Sequence, residues 1–379
     1  MIMKRVFLSS MLLLVFGLMN HSVQSQKQPG QRRKYNLTQA TSDKAQLHTI
    51  AFDGLAFMTG NFGADCFFPP GKLADYFGFQ YMRDNDENQM GHNTDFLTRI
   101  ANNVLTILTA EQTNTLIQLA KDQEADYEQF ATSRWTLIKA FRTNMEQNRK
   151  SDNKKLNESA VLAYSEQLYA IDARLSYHRA RAMAAIINQL TDEQKKQFDK
   201  LQFNNSATWP ELNEPFDKKQ LSHRAHVGLM TYASELFSWY KGSLEADIYF
   251  CPERHGTYFG GFYLKDFPAM DNHGYNISTS LTGDAGKSFL ETLNDAQRTS
   301  ITNLPAKQKF ALNEIVRIRT EICTAFRLFI TNPTAAPDEN KILLLSKQYG
   351  KMEGQLSFYY AMAFAEVFST LTKNQQQET

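Results

Sequence analysis

Residues 63–84, GADCFFPPGKLADYFGFQYMRD, return 182 positions later as EADIYFCPERHGTYFGGFYLKD. An internal repeat of this length constrains the fold more than any composition does, because it demands the same order of elements twice. With no gap, Asp65, Phe68, Pro70, Tyr76, Phe77, Gly78, Tyr81 and Asp84 meet Asp247, Phe250, Pro252, Tyr258, Phe259, Gly260, Tyr263 and Asp266. The register extends back through Leu47, Thr49 and Ala51, which meet Leu229, Thr231 and Ala233. Beyond insertions near residues 85–95 and around 150 it resumes at an offset of 185, where Gln123, Arg134 and Ala140-Phe141-Arg142 meet Gln308, Arg319 and Ala325-Phe326-Arg327. It ends at an offset of 181, with SEQLYAIDARLSY over SKQYGKMEGQLSF. The chain therefore divides into a first copy (41–203), a linker (204–216) and a second copy (217–379).

Each copy reads as helices around one irregular segment. In DKAQLHTIAFDGLAFMTG, Leu47, Ile50, Ala51, Leu55 and Met58 share a helical face, and Ser42 is placed to cap it. The second copy repeats this with Leu229, Ala233, Leu236 and Tyr240. Apolar periodicity predicts further helices in FLTRIANNVLTIL, in one long run from Leu108 to Met145, in NESAVLAYSEQLYAIDARLSYHRARAMAAIINQL and in TDEQKKQFDKLQF. Strand signals are weak, and Gly and Pro gather at boundaries. The expected fold is all-α: two tandem, pseudo-symmetric helical bundle units, each with an irregular aromatic Gly/Pro segment.

Four times the sequence gives Leu-Thr/Asn-x-x-Gln, at Leu108–Gln112, Leu190–Gln194, Leu293–Gln297 and Leu371–Gln375. The Thr or Asn can cap a helix while the Gln, three residues on, reaches back to the cap's N–H. Two such boxes in each copy resemble the Spy/CpxP family of small helical periplasmic proteins, which carry two LTxxQ motifs per chain. The likeness covers roughly residues 95–195 and 280–375. It implies an extracytoplasmic envelope protein that binds other proteins, as a chaperone or a stress-sensing accessory.

The first 25 residues carry Lys4 and Arg5, an apolar run from Val6 to Met19 and small residues near Ser25, the pattern of a secretory signal peptide. The run is short for a membrane span of roughly 20 residues, so no transmembrane anchor is expected after cleavage, and the location is periplasmic or secreted. Residues 26–40 form a polar lead-in. Lys4 and Arg5 are the only charges removed, leaving 39 basic against 40 acidic residues. Such a balance offers no general field for nucleic acid or anionic lipid. Three cysteines make no disulfide framework. Cys66 and Cys251 lie near equivalent positions and would bridge the copies in an oxidising compartment if their Cα atoms came within about 7 Å. Cys323 reads as a buried helical thiol.

The repeated Asp65, Tyr76, Tyr81 and Asp84, with Asp247, Tyr258, Tyr263 and Asp266, are the candidate ligand-binding set. In one reading the rings plug a bundle end and the aspartates serve turns. In the other, carboxylates and phenols line a pocket, and Asp65, Asp84, His92, Asp247 and Asp266 are possible metal ligands, a bound metal ion being the one cofactor in view. Histidines are not repeated: His92, His178 and His255 are matched by Tyr275, Tyr359 and Leu73. There is no HExxH, GxSxG or glycine-rich phosphate loop. The leading expectation is a non-enzymatic binding protein for extracytoplasmic proteins or peptides. The alternative is a metal- or small-ligand-binding protein, an enzyme among the options, built on the paired Asp and Tyr residues.

Overall fold

The computed structural model describes residues 41–59, 69, 95–149, 156–201, 209–241, 280–332 and 334–378. The described residues form helices and no strand, so the fold is all-α. In the first copy the helices are α1 (Asp43–Thr59), α2 (Asp95–Ile107), α3 (Ala110–Asp122), α4 (Glu124–Arg149), α5 (Glu158–Asn188) and α6 (Asp192–Lys200). In the second they are α7 (His223–Lys241), α8 (Ser280–Thr292), α9 (Asp295–Thr302), α10 (Leu304–Thr331), α11 (Glu339–Thr370) and α12 (Lys373–Glu378).

The long run from Leu108 is two helices rather than one. Gln123 interrupts it, because its side chain is drawn inward, donating to the Leu175 carbonyl at 3.0 Å and accepting from Tyr232 at 2.6 Å. In the second copy the break falls at Asn303, followed by Pro305, which is tolerated only in a first helical turn.

All four Leu-Thr/Asn-x-x-Gln boxes cap helices as their spacing requires. Thr109, Thr191, Asn294 and Thr372 each accept from the N–H of the Gln three residues on, and each Gln accepts in return from the cap's N–H. The boxes also meet in pairs. Gln194 donates to Gln112 Oε1 at 2.7 Å and to the Ile107 carbonyl, while Gln375 donates to Gln297 Oε1 at 2.7 Å and to the Thr292 carbonyl. Each pair of glutamines thus ties two helix starts to the end of a third helix.

Sequence order does not give the partners of the first helices. α1 packs chiefly against α8, with α9, α10 and α11, all from the second copy. α7 packs chiefly against α2 and α3 of the first. Each opening helix is thus lodged among the other copy's helices. This explains why burial on α1 extends beyond the expected face to Gln46, Thr49, Phe52, Asp53 and Phe57. The linker is strapped down as well. Asn103 and Asn102 of α2 donate to the Pro210 and Leu212 carbonyls at 2.9 and 2.8 Å, and Trp209 packs edge-on against Phe237 of α7.

The most extensive contact joins α5 to α11, which run antiparallel. Ser165 donates to the Gly350 carbonyl at 2.6 Å and Ser346 to the Tyr169 carbonyl at 2.9 Å. Each bond maps onto the other under the 181-residue offset. A Cβ on Gly350 would lie 2.6 Å from Tyr169 Cβ and 2.7 Å from the Ser165 carbonyl oxygen. Neither neighbour is the end of a flexible chain, so the helices would have to part. Gly350→Ala is therefore expected to cost about 1–3 kcal/mol despite Ala's better helix propensity, lowering Tm by several degrees in thermal circular dichroism. Gly228→Ala, where the nearest atom is Ala120 Cβ at 3.2 Å, should move Tm far less.

Candidate functional site

The described interior holds an unusual number of ionisable side chains. Asp53, Arg134, Asp172, Arg179, Glu235, Arg319 and Glu353 are each 4% exposed or less. Such groups are almost never this buried unless paired. Most come in pairs under the repeat: Asp53 with Glu235, Arg134 with Arg319, and Asp172 with Glu353.

The first-copy half of this network is centred on an ion pair. Arg179 of α5 reaches both carboxylate oxygens of Glu235 on α7, at 3.2 and 3.3 Å. Its other terminal nitrogen donates to Ser176 Oγ at 3.2 Å, and its guanidinium lies 5.8 Å from the Tyr232 ring centroid. Tyr232 in turn donates to Gln123. The result is a sealed polar seam that fixes α7 among helices of the other copy. In the second-copy half the hydrogen-bonded chain itself is neutral, though burial and the nearby Asp53 and Glu353 raise the Tyr360 phenol. Tyr360, at the position of Arg179, donates to Gln308, and Gln308 donates to Gln46 of α1 at 3.0 Å. The two equivalent glutamines, Gln123 and Gln308, each accept from a buried phenol, supplied by α7 in one half and α11 in the other.

Burial governs the titration of these groups. It pushes the Asp172 carboxyl up to about 7, against the pull of Arg179 and Arg319 and with the repulsion of Glu353 added. No hydrogen-bond donor among the described residues meets Asp172 Oδ2. Burial likewise raises Glu235, with Arg179 opposing, and raises Tyr127 and Tyr232. Chemically, the seam holds helices in one arrangement and couples that arrangement to proton uptake.

The sequence-derived candidates, Asp65, Tyr76, Tyr81, Asp84, Asp247, Tyr258, Tyr263 and Asp266, lie outside the described residues, as do His92, Cys66 and Cys251. Cys323 is a buried thiol in α10. His226 on α7 bonds Glu214 of the linker at 3.1 Å. Among the described residues, no three His, Cys, Asp or Glu side chains are grouped to hold a metal ion, and no helix is long and apolar enough to cross a membrane. The matched pairs Arg134/Arg319 and Asp172/Glu353 were a readable signal of the buried network, since an exposed charge has no packing reason to survive in both copies.

A second feature is on the surface. Phe310, Leu344 and Leu328 are 72, 67 and 56% exposed on α10 and α11. Phe310 and Leu328 are 18 residues apart, five full turns, so they stand on one line of the helix about 27 Å long. Between them run Glu314, Arg317 and Glu321, linked by ion pairs to each other and to Lys341. The first copy has Ala125, Thr143 and Ala163 where the second has Phe310, Leu328 and Leu344. In comparisons with known proteins, no family model, curated protein or solved structure matches this chain.

Two outcomes test the buried network. Arg179→Met or Glu235→Leu alone strands a buried charge and should cost about 3–5 kcal/mol, whereas the double substitution should recover most of it in urea unfolding. For Asp172, the folded protein keeps a proton between the ordinary value of 3.8 and about 7 that the unfolded chain has released. The stability it confers is complete below the lower value and is lost as pH rises to the upper one, on the order of 4 kcal/mol. Asp172→Asn should therefore show a higher Tm than the native chain at pH 8, the two converging near pH 4.

Proposed function

We propose that this is an extracytoplasmic, non-enzymatic binding protein that holds protein or peptide partners along the outer face of α10 and α11. The observation that carries the reading is the line from Phe310 to Leu328, joined by Leu344, on the second copy alone. Large apolar side chains left in water at positions where the matching copy has Ala or Thr serve no packing purpose. A face about 27 Å long, apolar at its ends and charged between, suits an extended segment of a partner better than a compact ligand. The N-terminal charged and apolar run supports an extracytoplasmic location, and the paired LTxxQ boxes support kinship with the Spy/CpxP proteins.

The mature protein should suppress light scattering by a reduced, unfolded model protein, and Phe310→Ser with Leu344→Ser should abolish that effect without changing Tm. Failure of the native protein to suppress scattering, or equal suppression by the doubly substituted one, would remove the reading.

A further inference from the structure

A groove of about 400 Å³ opens between α4 and α5 of the first copy, within the range of small-molecule sites. Its floor is formed by Leu137, Val161 and Asn144, all buried, and its mouth by Thr136, Thr143 and Ala160. Among the described residues that line it, none is charged.

In the second copy the corresponding junction is built from different residues. At the position of Thr136 stands Glu321, and at the position of Ala160 stands Lys341; the two form an ion pair at 2.8 Å across the α10–α11 boundary. An exposed Leu328 stands at the position of Thr143, and a half-buried Phe329 at that of Asn144. Of the eleven described residues that line the groove only Ala140 has its like in the second copy, at Ala325, and the ten changes include a charged bridge in place of Thr136 and Ala160. The first copy buries an amide at a position where the second has a half-buried ring.

Asn144 is 5% exposed, and its two hydrogen bonds are long. Its Oδ1 accepts from the Leu156 N–H at 3.4 Å, and its Nδ2 reaches Met362 Sδ at 4.0 Å. A buried amide with hydrogen-bonding capacity to spare favours a ligand that supplies a partner and penalises one that does not. Among the described residues, the lining carries no charge to offset the desolvation of an ionic ligand. We infer that the α4–α5 groove of the first copy binds a small neutral molecule, with an apolar body and a hydrogen-bonding group directed at Asn144. This site is separate from the α10–α11 face and stands whether or not that face binds partners.

The test uses phenylnaphthylamine, a neutral fluorophore that brightens in apolar surroundings, titrated into the mature protein. Saturable binding of one probe per chain is expected. Thr136→Glu with Ala160→Lys, which installs the second copy's ion pair, should weaken it at least about tenfold with an unchanged circular dichroism spectrum. Phe310→Ser with Leu344→Ser should leave it as it was. If the charged pair disturbs folding, Thr143→Leu, which fills the rim with the second copy's own residue, gives the same reading. Absence of saturable binding, undiminished binding after the groove is bridged or filled, or loss of binding when the α10–α11 face is altered would each overturn the inference.

Discussion

The crossing of α5 and α11 sets the spacing of everything else. Two serine hydroxyls on opposite helices each bond a carbonyl of the facing helix, which brings the backbones within reach of a single side-chain atom. At that distance only one of the two facing residues at the centre can carry a side chain. Tyr169 and Gly350 are the same position under the repeat, and here they face each other, ring against bare backbone. A pair of identical chains would have to place the same residue on both sides. One continuous chain with two diverged copies has no such restriction, and the Tyr169 ring then has room to lie 4.5 Å from that of Tyr349.

From this crossing the buried network follows. α5 and α11 bring Asp172, Arg179 and Glu353 into the interior, and α4 and α10 add Arg134 and Arg319. The opening helices, lodged in the opposite halves, supply Asp53 and Glu235. A buried ion pair such as Arg179–Glu235 adds little net stability compared with apolar packing, but an unpaired one is severely penalised. Its effect is selective: α7 is tolerated only where Glu235 finds Arg179. The neutral ladder Gln46–Gln308–Tyr360 does the same for α1 with hydrogen bonds. The two halves thus use different chemistry to solve one problem, which is to keep each opening helix in the other copy rather than against its own.

Local structure was legible in the sequence, and partner choice was not. Helix starts were visible because a cap and its reaching glutamine are three residues apart, and all four boxes behave as that spacing requires. The pairing of Gln112 with Gln194 was invisible, since a glutamine that caps a helix leaves no trace of where its remaining N–H donates. The interruption at Gln123 was hidden for a related reason: a polar residue in an amphipathic run reads as a solvent-facing one. The lodging of α1 in the second copy could not be read from periodicity at all, because an apolar stripe states that a face is buried and never against what. Of the site, the matched Gln123/Gln308 and Arg134/Arg319 were on view, whereas Arg179 was concealed by its replacement with Tyr360.

The same comparison of copies separates what the fold requires from what it leaves open. Positions that meet at the α5–α11 crossing or in the glutamine pairs either keep their chemistry or change in a compensated way, as Gln123 and Gln308 do in taking a phenol from different helices. Positions on the α4–α5 and α10–α11 faces change in character: Thr136 against Glu321, Thr143 against Leu328, Asn144 against Phe329, Ala160 against Lys341, Ala163 against Leu344. Each of these replacements alters shape, charge or polarity, and the two that bring charge, Glu321 and Lys341, answer each other as an ion pair across the helix contact. These replacements leave the described α4–α5 face grooved and uncharged and the α10–α11 face apolar and ion-laced. A duplicated frame that is held rigid from within is free to present two different surfaces, and the residues that differ are where recognition is to be sought.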